Sequence, residues 1–364
     1  MSQIIDKSDT STSLTEQRIL VVFLSGIGNM VQFLPTLQAI RNKYPNAEIV
    51  LWVKEMIVFE VIKNCGLVDE VWPYYHKKFI NLFRQLLVYL KLRGKKYDII
   101  INTFAERGYK LRLFMLGMKA KVKLGYRVNN FTDYFYTYLF DYDVSKNESD
   151  NHFKIIEYLD DRVIKKNPDL CLQAKEQEFA GHFFAENNIT KDKIVIGLHP
   201  GCSGFAHNKR WAPEKFAKVA DIVCERYKAE IIILGGREEK SLGEEVAGYM
   251  DIAKPFLLAG KATILETAAV IEKCDLFISN DSGLMHIATA VNTPTVAIFG
   301  PTNAIKNTPS GTGHTIIRKE LLCSPCLSYL GNGCKNIKCL KIITVEDVFA
   351  VVEKKLSSLT SLSR

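Results

Sequence analysis

The chain has 364 residues, 47% hydrophobic and 24% charged, which is enough for about two domains with sizeable cores. This composition excludes an intrinsically disordered chain, and nine cysteines are too few for a disulfide scaffold. The formal net charge of +8 comes from residues 77–127, which contain fourteen Lys and Arg but only two acidic residues. This basic segment favours a phosphorylated lipid, a membrane surface or a nucleic acid as partner. The alternative is an ordinary solvated helix face.

The N-terminal residues 1–17 are polar and rich in Ser and Thr, and we expect them to form a flexible arm. They contain no basic stretch followed by an apolar one, so no secretory signal is predicted. No apolar run approaches the roughly 18–20 residues that span a bilayer. We therefore expect a cytoplasmic protein, with peripheral contact at the inner membrane as a further alternative.

The first half of the chain alternates predicted strands with predicted helices. Strands are predicted at 19–24, 48–52 and 98–102, and helices at 30–43 and 58–63, with a basic helix before the third strand. The first strand runs directly into Gly26-Ile27-Gly28. This alternation is typical of an α/β domain with a parallel sheet.

The same pattern restarts after a polar stretch near residues 162–175. Strands are predicted at 193–198, 230–234, 276–279 and 295–299, and helices at 213–226, 264–273 and 285–291. We expect two Rossmann-like α/β domains facing each other across a cleft that binds a ligand. The predicted division is a flexible arm at 1–17, a first domain at 18–170, a second domain at 171–345, and a C-terminal helix and tail at 346–364.

Several common motifs are absent from the sequence. There is no Walker loop, and the dinucleotide fingerprint fails because Val31 stands where its third glycine would be. There is no nucleophile elbow of the G-x-S-x-G type, no H-E-x-x-H metal motif and no nucleic-acid-binding module. These absences disfavour a P-loop enzyme, a serine hydrolase, a zinc protease and a nucleic-acid-binding protein.

The strongest motif is the run 280–286, Asn-Asp-Ser-Gly-Leu-Met-His, directly after a predicted strand. Asp281 or Ser282 can cap the next helix, and Gly283 lets a ligand approach the backbone. The free amides and positive end of the helix would then suit a diphosphate, with His286 adding a hydrogen bond or a charge. The alternative is a capped helix with a core histidine.

Two further loops follow strands of the second half. His199-Pro-Gly-Cys-Ser203 and the nearby Lys209 have the small, hydroxyl and cationic residues that suit phosphate binding. Gly235-Gly236 is followed by Glu238 and Glu239, either of which could hold ribose hydroxyls. Three such loops at one edge of a domain favour a nucleotide site.

Together these motifs resemble glycosyltransferase family 9, the ADP-heptose:lipopolysaccharide heptosyltransferases. The resemblance rests on 281–286, 294–302, 199–203 with 209–211, and Gly26-Ile27-Gly28 with Pro35, and covers roughly residues 18–345. It implies a GT-B fold and inverting transfer of a sugar, typically heptose from ADP-heptose, without a catalytic metal or other cofactor. The donor would bind the second domain, and a phosphorylated glycolipid or other glycan acceptor would bind the first.

The resemblance also assigns individual residues. Gly26 and Gly28 would form the acceptor loop. The residues implied for donor binding are Ser203, Lys209, Glu238, Glu239, Asp281, Ser282, Gly283, Leu284, His286 and Thr302.

One position departs from the family pattern. The family commonly has an aspartate as general base after the glycine of the first loop, where this chain has Asn29. An amide cannot take the proton, and general-base help is worth about 10²–10⁴-fold in rate. Either Glu106 supplies the base, or Asn29 positions the acceptor, or the protein is slow or inactive. Asn29 is the main support for one alternative function, a non-catalytic nucleotide-sugar-binding scaffold. Two further alternatives are a nucleotide-sugar epimerase of the same fold and a protein-directed glycosyltransferase.

Four cysteines cluster near the C-terminus: Cys323, Cys326, Cys334 and Cys339. In a reducing compartment, four thiolates at such short spacing favour a structural zinc or iron site. Some members of the resembling family carry similar cysteines, including a protein-glycosylating branch that binds iron there. The alternative is a set of free thiols in a loop.

Overall fold

The computed structural model describes residues 17–54, 56–74, 79–103, 112, 115–202, 207–326, 334 and 336–362. Contacts divide the chain into two compact units. The first comprises 1–26, 33–143 and 150–166, and the second comprises 27–32, 144–149 and 167–364. The main division thus falls after residue 166, where 170 was expected, and the C-terminal helix belongs to the second unit.

The first unit is built on a parallel sheet of six strands in the order β3-β2-β1-β4-β5-β6. Its central strands are almost uninterrupted apolar runs and are buried along nearly their whole length, as expected for a parallel sheet covered on both faces. The strands are β1 (Arg18–Phe23), β2 (Glu48–Val53), β3 (Glu70–Pro73), β4 (Tyr97–Asn102), β5 (Ala120–Tyr126) and β6 (Tyr138–Phe140).

The helices in the first half are α1 (Ile27–Lys43), α2 (Ile57–Glu60), α3 (Phe79–Gly94) and α4 (Glu148–Leu159). Helix α1 starts three residues earlier than predicted, with Gly26 at its N-cap. The glycine loop of the sequence is therefore the first turn of a helix, since a glycine without a Cβ also fits helical backbone.

The second unit has its own parallel sheet of six strands, in the order β12-β11-β10-β7-β8-β9. After β7 the chain adds β8 and β9 on one side, and then β10, β11 and β12 on the other side. The strand order therefore switches between the parallel neighbours β7 and β10, and such a switch point is where α/β sheets bind ligands. The strands are β7 (Val195–His199), β8 (Glu230–Ile233), β9 (Phe256–Leu257), β10 (Leu276–Asn280), β11 (Thr295–Ile298) and β12 (His314–Ile317).

Helices of the second unit pack on this sheet and close its core. The long C-terminal helix contributes Val352 and Leu356 to the same buried cluster as Trp211 and Phe216. The helices are α5 (Ala174–Glu186), α6 (Pro213–Tyr227), α7 (Lys240–Gly248), α8 (Ile264–Glu272), α9 (Gly283–Ala290), α10 (Lys338–Lys341) and α11 (Val345–Leu362). Across the described residues, no helix combines the length and apolarity needed to cross a bilayer.

Candidate functional site

The predicted site residues of the second unit gather where β7 and β10 end. These strands pair in parallel register, with Ser279 opposite His199. The loops that follow both strands therefore leave the same edge of the sheet, at its switch point. This is where a Rossmann-like sheet positions ligand-binding side chains.

The N-terminus of α9 forms one wall of the site. Ser282 is the N-cap, and its hydroxyl accepts a hydrogen bond from the Met285 N–H at 3.3 Å. The helix starts at Gly283, two residues earlier than predicted, directly after β10. A strand that runs straight into a capped helix aims the positive end of the helix at the sheet edge, an arrangement that suits an anion.

A buried ion pair lies beside this helix end. Lys209 Nζ is 2.9 Å from Asp281 Oδ2, and their side chains are only 13% and 5% exposed. Asn307 Nδ2 donates a second hydrogen bond to Asp281 Oδ2 at 3.2 Å. Lys209 ends a short 3-10 turn, His207–Lys209, which places its ammonium group at the sheet edge. The pair therefore holds the ammonium group of Lys209 in a largely buried position at the sheet edge.

A histidine that the motif assignment did not include links three of the loops. His199 Nδ1 lies 3.0 Å from Ser282 Oγ and 3.2 Å from Ser279 Oγ, and Nε2 lies 3.1 Å from Glu239 Oε2. Gly236 N–H donates to the same Glu239 oxygen at 2.8 Å. Burial acts to raise the pKa of Glu239, but His199, the Gly236 amide and Arg210 together hold it below its usual value. Glu239 is thus a carboxylate anchored on one oxygen.

Gly201 is required for this arrangement. A Cβ at position 201 would overlap Glu239 Oε1 and would lie 2.9 Å from His199 Nε2. The glycine of the His-Pro-Gly run therefore makes room for the carboxylate, since any larger residue would displace it.

Two buried polar atoms of the site are unpartnered in the described part of the chain: His286 Nδ1 and Thr302 Oγ1. The two residues are 4% and 3% exposed. Burial lowers the pKa of His286 to about 4, partly offset by Asp281 and reinforced by Lys209 and His314. A buried ring nitrogen and a buried hydroxyl without partners are costly inside a protein unless they serve a ligand.

The glycine loop of the first half reaches this histidine. Residues 27–32 belong by their contacts to the second unit. A Cβ at Gly28 would lie 2.8 Å from His286 Cδ2, so the glycine permits the close approach. Asn29 follows in α1 and is partly buried, while Gly26 is exposed at the N-cap.

Asn280, also absent from the predicted set, holds the loop after β7. Its side-chain oxygen accepts from Trp211 N–H at 2.9 Å, and its Nδ2 donates to the carbonyls of Pro200 at 2.7 Å and Gly201 at 3.2 Å. Asn280 and His199 share a signal that sequence reading could have used. Each is a polar residue that ends a buried apolar strand at the binding edge of the sheet.

The remaining predicted residues have different placements. Leu284 is buried in the first turn of α9, whereas Glu238 is exposed, unlike its half-buried neighbour Glu239. Ser203 and Glu106 lie outside the described residues, so the predictions for them stay predictions.

The basic segment of the first unit is less uniformly cationic than the sequence predicted. Lys95 pairs with Glu48 at 2.9 Å and Glu70 at 2.6 Å. Further basic side chains of the segment form ion pairs: Lys121 with Asp98, Arg112 with Asp133, and Arg127 with Asp141. Except for Asp98, these acids lie outside the segment in the sequence, so a count along the segment cannot include them.

The four clustered cysteines fall within the described residues, and Cys339 is buried while Cys323 is exposed. Burial raises the pKa of Cys339, and the nearby Cys334 and Cys323 add to that rise. Within the described ranges, however, no three His, Cys, Asp or Glu side chains are arranged to hold a metal ion. The thiols of Cys323, Cys334 and Cys339 therefore lie near one another but are not arranged around a common metal position.

Comparison with known proteins identifies the class. The model of glycosyltransferase family 9 (heptosyltransferase) matches residues 87–335, and the chain belongs to this family. A lipooligosaccharide heptosyltransferase 2 from Campylobacter jejuni subsp. jejuni serotype O:6 is 29% identical over 351 residues, covering 94% of this chain and 99% of the relative.

Solved structures agree on the architecture. A family 9 glycosyl transferase from Veillonella parvula superposes with a TM-score of 0.79 at 23% identity, over 95% of this chain and 99% of the other. The E. coli ADP-heptose lps heptosyltransferase II gives 0.72 at 20% identity, over 94% and 100%. The predicted fold class, two Rossmann-like α/β domains of the GT-B type, is confirmed, as is the family resemblance.

Proposed function

We propose that this transferase moves a heptose-type sugar, with inversion, from an ADP-linked donor to a phosphorylated glycolipid acceptor of the lipopolysaccharide type. The observation that carries the proposal is the buried pair of Lys209 and Asp281 at the N-terminus of α9. The names of the relatives support the sugar and the acceptor class. A place at the cytoplasmic face of the inner membrane follows from such an acceptor.

The donor diphosphate would bind at α9. Its negative charge complements the helix end and Lys209, whose charge Asp281 balances in the free protein. His286 and Thr302 supply buried polar atoms that a ligand would satisfy. The second oxygen of Glu239 faces Gly201 and would accept from ribose hydroxyls, because a carboxylate can accept two such hydrogen bonds.

The chemistry follows from this placement of charge. The acceptor hydroxyl attacks the anomeric carbon from the side opposite the diphosphate, the new C–O bond forms, and the bond to the phosphate oxygen breaks. Negative charge develops on the leaving diphosphate, and Lys209 with the α9 amides stabilises it in a largely dry site. The proton of the acceptor passes to a general base. No resident cofactor enters this proposal.

Either Glu106 is the general base, or Asn29 positions the acceptor hydroxyl without taking its proton. Turnover should collapse in Glu106→Gln and survive in Asn29→Ala if the carboxylate is the base, a loss of about 10²–10⁴-fold. A large gain in Asn29→Asp would instead show that the native chain lacks its base. Failure of all forms to transfer sugar while still binding nucleotide would favour a non-catalytic scaffold.

The decisive first experiment is binding by calorimetry of ADP, UDP, GDP and CMP to the full chain. We expect selective binding of ADP, and Glu239→Gln should weaken it roughly tenfold or more by loss of ribose contacts. Glu238→Gln is the matched control, since it makes the same change on the exposed neighbouring side chain. Selective binding of UDP or GDP would contradict the ADP donor, and equal effects of both variants would contradict the role of Glu239.

A structural zinc or iron at the four cysteines remains a prediction beside the transfer chemistry. Elemental analysis of the purified protein should find about one equivalent of metal, lost in Cys323→Ser and Cys339→Ser. Cys171→Ser, a half-buried cysteine elsewhere in the chain, is the control. Metal-free native protein would refute the site.

A further inference from the structure

Helix α3 exposes a continuous apolar stripe. Phe83, Leu86, Leu87 and Leu90 follow the spacing i, i+3, i+4, i+7, and their exposed fractions are 65, 48, 44 and 49%. This spacing places the four side chains on one side of a helix. Single exposed leucines are ordinary, but a four-residue stripe along two turns is not.

The opposite face of α3 fixes the helix in this orientation. Val88 and Leu92 are buried in the core cluster that contains Trp52 and Met115. Gln85 on the same face is only 3% exposed. The helix is therefore docked on its own sheet by one apolar face while it presents a second apolar face outward.

Exposed apolar surface continues beside the helix. Leu116 is 60% exposed, and its neighbour Gly117 packs so closely on α3 that a Cβ there would overlap the Tyr89 hydroxyl and lie 3.6 Å from Arg93 Nε. An exposed leucine therefore follows α3 at a chain position whose neighbour packs against Tyr89 and Arg93.

Positive charge flanks the stripe on both sides. At about 100° per residue, Arg84 and Lys91 lie on one side of the stripe and Arg93 on the other, all three exposed. The Lys91 ammonium lies 5.3 Å from the centre of the Trp72 ring, so its charge stays at the edge of the apolar surface. Residues 71–97 contain seven Lys and Arg and no acidic residue, and one of the seven, Lys95, is paired with Glu48 and Glu70 from outside this range.

We propose that α3 is a membrane-docking helix, which lies in the plane of an anionic bilayer and inserts this stripe at the boundary of headgroups and acyl chains. Aromatic and leucine side chains between rows of Lys and Arg are the pattern of interfacial helices, because the cations reach the phosphates while the apolar groups enter the lipid. A protein partner would need an apolar groove with a matching acidic rim. An anionic membrane offers the equivalent of each, because its acyl chains are apolar and its headgroups carry negative charge. The proposal goes beyond the transfer reaction and does not depend on it.

The test is co-sedimentation of the full chain with vesicles of phosphatidylcholine and phosphatidylglycerol that contain neither donor nor glycolipid acceptor. Leu87→Gln/Leu90→Gln should weaken the partition coefficient by roughly thirtyfold, since each half-exposed leucine has about half of its transfer free energy left to contribute. Ile252→Gln, a change at an equally exposed residue of the second unit, should bind like the native chain. All three proteins should melt at the same temperature because the altered side chains are exposed.

Insertion is distinguished from surface attraction by Phe83→Trp. We expect its additional fluorescence to shift to the blue on vesicles and to be quenched by brominated lipid. Binding should persist in part at high salt, where purely electrostatic attachment is screened. Absence of quenching, tight binding of the double variant, or equal weakening in Ile252→Gln would overturn the proposal. The proposal would also be overturned if the native chain were a dimer, the double variant were a monomer, and both bound vesicles equally well. A chain that docks but transfers no sugar would contradict the proposed function alone.

Discussion

Replacement of Lys209 by Met tests whether the buried ion pair with Asp281 organises the site. The substitution keeps an unbranched side chain of nearly the same length and removes the ammonium group with its charge and hydrogen-bond donors. Among the described side chains, Asn307 is then the hydrogen-bond donor left to Asp281, which is 5% exposed. Removing one partner of a buried pair costs about 3–5 kcal/mol. Because Asn307 remains and Lys209 is 13% exposed, we expect the lower end, about 3 kcal/mol.

A loss of this size is measurable by calorimetric or fluorescence melting. For a unit of about 200 residues it corresponds to a fall in Tm of roughly 6–12 °C. The variant Lys209→Met/Asp281→Asn, in which both charges are gone, should recover much of that stability, giving a coupling free energy above about 1 kcal/mol. Lys240→Met is the matched control, since that lysine pairs with Glu244 on an exposed helix face, where such pairs contribute about 0–1 kcal/mol.

The same variants separate stability from binding. Lys209→Met and the double variant should both lose the stabilisation that saturating ADP gives, about 2.7 kcal/mol at 100 times its Kd. A cycle with coupling near zero, or a Lys209→Met protein that melts like the Lys240→Met control, would refute the argument that the pair is buried and organising.

Three further outcomes are expected. Gly201→Ala should expel the Glu239 carboxylate and weaken ADP binding about as much as Glu239→Gln does, with little change in Tm; unchanged affinity in calorimetry would contradict this. Asn280→Ala should lower the free energy of unfolding by about 2–4 kcal/mol in urea titration, because the buried Trp211 N–H and two loop carbonyls lose their partner; a loss below about 1 kcal/mol would count against it. The pKa of His286 is lowered to about 4 in the folded protein, so the unfolded chain takes up this proton at a higher pH than the folded chain does. The free energy of unfolding is therefore unaffected by this group above about pH 6.5 and falls as the pH drops toward 4. This one group accounts for a loss of about 2 kcal/mol between pH 7.5 and 5, which His286→Gln should remove; identical pH profiles of the two proteins in urea titrations would refute it.

The sequence was sufficient for the parts of the fold that depend on local pattern. Buried runs such as 19–24 and 276–279 predicted central strands of parallel sheets because only strands covered on both faces are apolar throughout. The capped helix after Asn280 was predicted because Ser282 and Gly283 suit an N-cap and a close backbone approach. Segment boundaries shifted by up to three residues, as at the start of α1, where Gly26 caps the helix.

The distribution of positive charge on the surface of the first unit could not be determined from the sequence. Fourteen basic residues in one segment predicted a basic face, but several of them pair with acids that tertiary folding brings from elsewhere, such as Glu48 and Glu70 at Lys95. The stripe on α3 was hidden for a related reason. Leu87 and Leu92 look alike in the sequence, and only packing on the sheet decides that Leu92 is buried and Leu87 is not.

Sequence by itself determined the two α/β units, the family and the loops that carry the site, because these depend on periodicity and on residue types at strand ends. The tertiary structure alone decided which side chains meet. It joined His199 to Ser282 and Glu239 across strands far apart in the chain, and it separated Glu239 from its identical neighbour Glu238. The physical reason is that hydrogen bonds and burial depend on distances in space, and the register of β7 against β10 sets those distances.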